Sequence, residues 1–199
     1  MLTTKFILPN LSVEPLDDVR VRKAIAMALN REEICAAIGS DYTPTTSFVA
    51  ANMLSNAGSE KFSEETDPVI TEDIAQAQEL LAEAGYPNGF EMEIAANADD
   101  TNTTTQVYEM VQAMLDEVGI DAEIVMYDDA TWRAKRAEGQ IGSYLSSWSA
   151  DFNDPDNFIY SIFAPGNSER RSFNYSNEEV KQQIVEARGI VNEEERIAL

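Results

Sequence analysis

Three strand-like segments, separated by two helical ones, occupy the sequence between residues 90 and 148. The strand-like segments are FEMEIAA, IDAEIVMY and IGSYLSSW. The helical patterns between them, at about residues 104–118 and 130–138, end at Gly119 and Gly139, because glycine readily takes the left-handed conformation that ends a helix. A strand–helix–strand order with short connections is typical of parallel βαβ units with right-handed crossovers. The sequence therefore predicts the α/β fold class.

Capping residues mark further helices outside this stretch. The candidate first residues or caps are Asp17 or Asp18, Asn30, Thr71 and Ser176. Each is a side chain that can accept a hydrogen bond from a free amide at a helix start. Residues 40–70 carry no sustained period and are rich in Ser, Thr, Asn and Pro, so we expect loops there.

Composition narrows the possible functions. The 199 residues include 14 Lys and Arg against 36 Asp and Glu, a net charge of −22. Nucleic-acid phosphates and anionic lipids repel such a chain, so we expect neither as a partner. The chain has no histidine and one cysteine, Cys35, in the apolar run ICAAI. These counts exclude an internal disulfide and a histidine-based catalytic system, and they disfavour zinc and copper sites. We expect no metal and no cofactor.

The two ends of the sequence resemble the middle of a protein. No stretch approaches the roughly 20 apolar residues of a membrane span, and no apolar region of a signal peptide follows Met1. Residues 5–8 already have a strand pattern, and Asn192 begins a helix shortly before the chain stops at Leu199. We therefore expect a piece of a longer protein.

The segment SSWSADFNDPDNF, residues 146–158, directly follows the last predicted strand. Ligands of open α/β sheets bind outside the carboxyl ends of parallel strands, so a site is expected here. Asp151, Asn153 and Asp154 offer oxygens for calcium or magnesium, but the segment lacks the glycine and the bidentate glutamate of an EF-hand loop. Two carboxylates could also catalyse proton transfer, although the chain offers them no further catalytic group.

Two other interpretations divide this segment between them. We predict a structural turn formed by Asn153, Asp154, Pro155 and Asp156. Aspartate can accept backbone amides there, and proline suits a first helical position. Trp148 offers a flat apolar face, and Asp151 can accept a charge-assisted hydrogen bond from an ammonium group. Trp148 could equally be a core residue, and the spacing alone does not decide between these roles.

Four motifs occur in order between residues 15 and 158: PLDDVRVRKAI with NRE, LLAEAGYPNGF, VGI and WSADFNDPDNF. Together they resemble family 5 of the extracellular solute-binding proteins, the dipeptide and oligopeptide receptors of ABC importers. The family patterns are P-F-x-D-x-R-V-R-x-A-x-x-x-A-x-D-R, L-L-x-E-A-G-Y-P-x-G-F, x-G-I and W-x-x-D-x-x-D-P-x-x-F. Residues 175–177 extend the resemblance toward residue 188. The combination is specific, although each motif alone would be weak.

The resemblance implies the second, smaller ligand-binding lobe of a longer, two-lobed Venus-flytrap receptor, with a mostly parallel mixed sheet flanked by helices. Residues 1–14 would form a crossover strand, 15–190 the core of the lobe, and 191–199 the start of a further helix. The whole protein would be an extracytoplasmic monomer, in the periplasm or anchored as a lipoprotein, whose signal sequence lies outside this chain. Its expected partners are a small peptide or other small solute, the other lobe, and the permease subunits of the importer.

The resemblance also implies site residues. In peptide-binding relatives the aspartate three residues after the tryptophan of the last motif pairs with the terminal ammonium of the ligand, which corresponds to Asp151, and Trp148 lies beside the ligand. Weaker lining candidates are Leu145, Ala150 and Phe152. The chain departs from the family at Gly142, where relatives often have an acidic residue. It also has Leu145 where some peptide receptors place an arginine for the ligand carboxylate.

A non-enzymatic peptide receptor is thus the leading hypothesis. Because the family also includes receptors for sugars, opines, haem-like and metal-chelate ligands, an oligosaccharide or other polar solute stacked on Trp148 is the first alternative. A hydrolase using Asp151 and Asp154 is an alternative of another class, and an adhesion or signalling module is a third.

Overall fold

Two pairs of β-strands form the central layer of the protein. The computed structural model describes residues 2–50, 53 and 70–199. The strands are β1 (Thr3–Pro9), β2 (Glu91–Asn97), β3 (Asp121–Tyr127) and β4 (Ser143–Ser149). Strand β1 pairs antiparallel with β4, and β2 pairs parallel with β3. The observed secondary structure confirms the α/β class.

The described residues form eight α-helices, and periodicity or capping residues predict most of them. They are α1 (Val19–Ala28), α2 (Arg31–Ile38), α3 (Ile74–Glu83), α4 (Asn102–Asp116), α5 (Asp129–Ala137), α6 (Asp156–Phe163), α7 (Glu178–Ala187) and α8 (Glu193–Ala198), with a short 3-10 helix at Glu169–Arg171. Asp18 and Asn30 cap α1 and α2 through their side chains. Two predicted starts are wrong by one or two residues: Asp73 rather than Thr71 caps α3, and Asn177 rather than Ser176 caps α7.

The first predicted βαβ unit is confirmed. The second is wrong, because its last strand, β4, does not pair with the expected strand. Strands β2 and β3 are parallel neighbours joined by α4. Strand β4 does not pair with β3 but forms an antiparallel ladder with β1. The strand pattern identifies β4 but not its neighbour, and β1 offers it a seven-residue ladder. The predicted, mostly parallel mixed sheet is therefore replaced, among the described residues, by one antiparallel and one parallel pair.

Side-chain contacts join the two pairs of strands. The Ser143 hydroxyl donates to the Glu93 carbonyl at 2.8 Å. Further along, the buried Tyr108 hydroxyl donates to the Ala95 carbonyl at 3.1 Å and also contacts the backbone of Leu145. Ser143 thus lies beside Glu93, and Leu145 lies near Ala95. Residue numbers therefore increase in the same direction along both strands, and β4 runs parallel to β2. The carboxyl ends of β2, β3 and β4 consequently lie at the same edge.

The hydrophobic core lies on both faces of this layer. Helices α1, α3 and α4 cover β2 and β3 with the largest cluster, which includes Val21, Leu81, Ile94, Val111, Leu115 and Ile120. A second cluster forms around Leu8, Tyr144, Ile162 and Phe173, and a third joins Val49, Ala50 and Met53 to Phe158. Each fully buried aliphatic or aromatic side chain stabilises the fold by about 1.5–3 kcal/mol relative to an exposed one. These clusters fix the position of β4 and of α6, which follows it.

The turn before β2 depends on glycine. Gly89 has a φ of +74°, and a Cβ added to it would lie 1.6 Å from the Gly119 carbonyl oxygen. Any side chain at position 89 would therefore clash with the backbone that leads into β3. The close approach of the two backbones therefore explains why the motif GYPNGF has a glycine at position 89.

Part of the predicted loop region lies outside the described residues. Residues 41–50 contain no helix or strand, and residues 51–52 and 54–69 are not described. None of the helices in the described ranges is long and apolar enough to cross a membrane.

Candidate functional site

The segment after β4 is held against the first residues of the chain. The Ala150 amide donates to the Leu2 carbonyl at 2.8 Å, which extends the β1–β4 ladder by one more bond. The chain then leaves the sheet through the acidic turn, residues 151–156, and enters α6 at Asp156. At the same edge, Asn97 at the end of β2 donates to Asp129 at 2.8 Å. The acidic turn therefore lies at the carboxyl edge of the strands, where the sequence analysis expects a site.

Asp151 is exposed, and its carboxylate accepts no hydrogen bond from the described residues. Its backbone is fixed, because the Asp151 amide donates to Asn157 Oδ1 at 3.3 Å. An ionised carboxylate can accept several hydrogen bonds, so the side chain keeps its full capacity for a ligand donor. The geometry suits an ammonium group or another cationic donor.

Trp148 is half-buried. Its ring packs against the second and third clusters, and its indole N–H donates to Asn157 Oδ1 at 2.8 Å. The Arg171 guanidinium lies 4.9 Å from the ring centroid, so one face of the indole already contacts a cation. Burial lowers the pKa of Arg171. Trp148 is thus partly a core residue, and a ligand could use only the remaining exposed surface of the ring.

The other two aspartates of the acidic turn are engaged within the chain. Asp154 accepts the Asp156 amide at 2.9 Å and forms an ion pair with Arg196 of α8. Asp156 lies 3.3 Å from Arg188 Nε, and burial raises the pKa of its carboxyl above the usual value although Arg188 lowers it. Pro155 is buried and directly precedes α6, one position earlier than predicted. This arrangement is that of a turn and a helix start.

The weaker lining candidates are spread over different surroundings. Leu145 packs against the first cluster, on the opposite face of β4 from Trp148. Ala150 packs against the third cluster, whereas Phe152 is 52% exposed and Asn153 is exposed. The structure brings Ala150 and Phe152 close to Asp151 along the chain but places Leu145 on the other side of the sheet.

Asn157 is a functional candidate that the sequence analysis does not identify. It is only 5% exposed, and its side-chain oxygen contacts both Trp148 and Asp151. The signal in the sequence is weak, because an asparagine in a first helical turn is usually a solvent-exposed polar residue.

A metal site would need a cluster of ligating side chains. The described residues contain no group of three or more His, Cys, Asp or Glu side chains that could hold an ion. Cys35, the free cysteine, lies half-buried in α2, and burial raises the pKa of its thiol, which disfavours a reactive thiolate.

Comparison with known proteins defines the class to which this arrangement belongs. Residues 1–170 match the family model described as "Bacterial extracellular solute-binding proteins, family 5 Middle". The class is one of binding proteins rather than enzymes. The chain belongs to family 5 of the bacterial extracellular solute-binding proteins.

The curated relatives carry different ligand names. The chain is 30% identical to "Heme-binding protein A" of Haemophilus influenzae over 100% of its own length and 36% of that protein. It is 31% identical to the "Dipeptide-binding protein" of Escherichia coli over 84% of its length and 30% of that protein. A "Glutathione-binding protein GsiB" of Salmonella choleraesuis is 30% identical over 92% of the chain and 36% of that protein. The chain thus spans about a third of the length of these relatives.

Solved structures share the fold. A periplasmic binding protein DppA of Helicobacter pylori in complex with the peptide STSA superposes with a TM-score of 0.84 at 23% identity, over 99% of this chain and 38% of that one. A dipeptide-binding protein of a Pseudoalteromonas species in complex with Met-Leu gives a TM-score of 0.81 at 26% identity, over 96% and 38%. The α/β domain is therefore that of periplasmic binding proteins.

Proposed function

We propose that this chain is a lobe of the substrate-binding component of an ABC importer. In this proposal the protein captures short peptides by their terminal ammonium group and delivers them to a membrane permease. The dipeptide-binding relative and the two peptide complexes among the similar structures support a peptide ligand.

One observation carries the proposal: the Asp151 carboxylate is exposed and has no partner in the described chain, whereas arginines pair with both Asp154 and Asp156. A carboxylate at the carboxyl edge of the strands is available to an incoming cation. Its backbone amide shares the acceptor Asn157 Oδ1 with the Trp148 indole, so the two residues lie close together. Backbone groups near the ends of the strands could add sequence-independent hydrogen bonds to a peptide.

A polar solute such as an oligosaccharide is the second candidate, because Trp148 is only half-buried. Relatives named for haem and glutathione, and a structural relative in complex with mannopinic acid, show that ligands differ among similar proteins. Arg171 already occupies one ring face, so a sugar could stack on the other face only. This arrangement favours the peptide over a ligand that must be held between stacking surfaces.

We assign residues 1–14 to a crossover strand, 15–190 to the core of the lobe, and 191–199 to the start of a further helix. The ladder between β1 and β4, and the short helix α8, agree with this division. We place the whole protein outside the cytoplasm as a monomer, either in the periplasm or as a surface lipoprotein. The other lobe would close the cleft over the acidic turn.

A thermal-shift measurement tests the peptide proposal. We expect an equimolar pool of dipeptides to raise the unfolding temperature of the full-length protein, and the same pool after N-acetylation to raise it much less. Equal shifts with both pools would contradict capture by the ammonium group. A shift with a pool of oligosaccharides, abolished by Trp148→Ala and unaffected by Asp151→Asn, would establish the second candidate instead.

The 199-residue chain alone provides a further test. A cleft between two lobes buries its ligand on both sides, so one lobe keeps only part of the contact area. We expect no dipeptide binding tighter than a Kd of about 1 μM, which corresponds to about −8 kcal/mol. Tighter binding by the chain alone would contradict a two-lobed site.

A further inference from the structure

Asn157 lies in the first turn of α6 with its side chain directed back toward the end of β4. The side chain is almost completely buried, at 5% exposure, and its backbone amide donates to the Asp154 carbonyl at 3.0 Å. Its Oδ1 atom accepts from Trp148 Nε1 at 2.8 Å and from the Asp151 amide at 3.3 Å. A single buried oxygen therefore contacts both residues of the proposed site.

A buried amide is favourable only if its polar atoms find partners. A carbonyl oxygen has two lone pairs, and here the indole N–H and the backbone N–H use both of them. Leucine has the same branched arrangement of side-chain heavy atoms and no such requirement, although it is the larger side chain. What asparagine adds is an acceptor that holds two donors, the Trp148 indole N–H and the Asp151 backbone N–H, in fixed directions.

This contact restricts both groups of the proposed site. The Trp148 ring is held at its N–H edge by Asn157 and on one face by Arg171, whose Nε donates to the Ser161 carbonyl at 3.0 Å. The Asp151 backbone is held by the same amide oxygen, while its carboxylate stays exposed. Fixing a site before the ligand arrives strengthens binding, because less conformational freedom is lost on association.

We propose that Asn157 is a positioning residue that holds the Trp148 indole and the Asp151 backbone in the arrangement that binds the ligand. The inference rests on the proposed function for its consequence in binding, but the positioning itself is a property of the chain without ligand. Asn157 has no direct contact with the ligand in this proposal and acts only through its two neighbours.

Three variants separate positioning from general stability. Asn157→Leu removes the acceptor, and Asn157→Asp keeps an acceptor oxygen at the same place. Asn167→Leu is the control, since the side-chain amide nitrogen of Asn167 donates to the Tyr160 carbonyl at 3.1 Å and takes no part in the contacts of Trp148 and Asp151. If Asn157→Leu does not fold, Asn157→Gln keeps the amide but moves its oxygen by one methylene, and the same direction of change is expected.

The readout in the absence of ligand is hydrogen exchange at the indole N–H of Trp148. The 199-residue chain has only two tryptophans, so Trp148→Phe assigns the two indole signals. Loss of a buried hydrogen bond is expected to speed exchange of the Trp148 signal roughly tenfold in Asn157→Leu. We expect much less change in Asn157→Asp and none in Asn167→Leu, with the Trp132 signal unaltered throughout.

The readout with ligand is the affinity of the full-length protein for an equimolar pool of dipeptides. We expect Asn157→Leu to weaken it roughly tenfold, and Asn167→Leu to leave it unchanged. Unchanged exchange and unchanged affinity in Asn157→Leu would overturn the proposal. If the unsubstituted protein binds no dipeptide, the peptide function fails, and the exchange rates alone decide whether Asn157 positions Trp148.

Discussion

Asp151 and Asp154 are three positions apart in the same turn and have opposite surroundings. Asp154 accepts a backbone amide and pairs with Arg196, whereas the exposed Asp151 carboxylate has no partner in the described ranges. Asp154 therefore maintains the turn, and the exposed carboxylate of Asp151 is the one proposed to bind a ligand. Two aspartates of one acidic turn can thus have quite different surroundings, although the residue type is the same.

The largest expected effect on stability comes from comparing the two phenylalanines nearest the acidic turn. Phe158 is fully buried in the third cluster, so Phe158→Ala should cost about 3–5 kcal/mol of unfolding free energy. Phe152 is 52% exposed, and Phe152→Ala should change the free energy by less than about 0.5 kcal/mol. Urea denaturation of both variants measures the difference. Equal losses of unfolding free energy would contradict the division between the buried Phe158 and the exposed Phe152.

The next effect compares the aspartates themselves. Asp154→Ala removes the acceptor of the Asp156 amide and one partner of a partly exposed ion pair, and we expect a loss of about 1–2 kcal/mol. Asp151→Ala should stay within about 0.5 kcal/mol. If Asp151→Ala destabilised the fold as much as Asp154→Ala, Asp151 would be a structural residue and the comparison would be wrong.

Arg188 provides a test with a smaller expected effect, because it pairs with Asp156 at the end of the acidic turn. Its guanidinium lies 3.9 Å from the Tyr160 ring centroid and 3.3 Å from Asp156. Because both contacts are partly exposed, Arg188→Ala should cost about 1 kcal/mol, and Arg188→Lys should retain part of it. Urea midpoints of the two variants measure this order. Equal midpoints for Arg188→Ala and the unsubstituted protein would show that the pair adds nothing to the turn.

The smallest expected effect is a dependence on pH that has opposite signs at two aspartates. The folded-state pKa of Asp156 is raised, chiefly by burial, so its contribution to stability is present below the unfolded pKa and lost as pH rises through the folded pKa. The Asp18 pKa is lowered to about 2, chiefly by its hydrogen bond with Arg20, so its contribution is present above 3.8 and lost as pH falls toward 2.

Urea midpoints between about pH 2 and pH 6 test these signs. The stability of the unsubstituted protein relative to Asp156→Asn should fall as pH rises, and its stability relative to Asp18→Asn should rise. Asparagine keeps the capping oxygen at position 18, so the second comparison reports the charge alone. The same slope for both variants would contradict the assignment of the two environments.

Local signals in the sequence determine most of the elements. Apolar periodicity and capping residues identify most of the described helices to within a few residues, since a side-chain cap satisfies a free amide of its own helix. The antiparallel pairing of β4 with β1 is not predicted, because it joins residues 3–9 to residues 143–149, and nothing local distinguishes one neighbour from another. For the same reason the family motif indicates Trp148 and Asp151, while Asn157, which contacts both, appears only in three dimensions.

The central claim is that Asp151 holds the terminal ammonium of a peptide. Isothermal calorimetry on the full-length protein would compare a bound dipeptide with its N-acetylated form, in the unsubstituted protein and in Asp151→Asn. We expect acetylation to weaken binding at least roughly tenfold in the unsubstituted protein, about 1.4 kcal/mol, and to have little further effect in Asp151→Asn, because both changes remove the same ion pair. Equal, additive losses from acetylation and from the substitution would place the ammonium group elsewhere and contradict the role of Asp151.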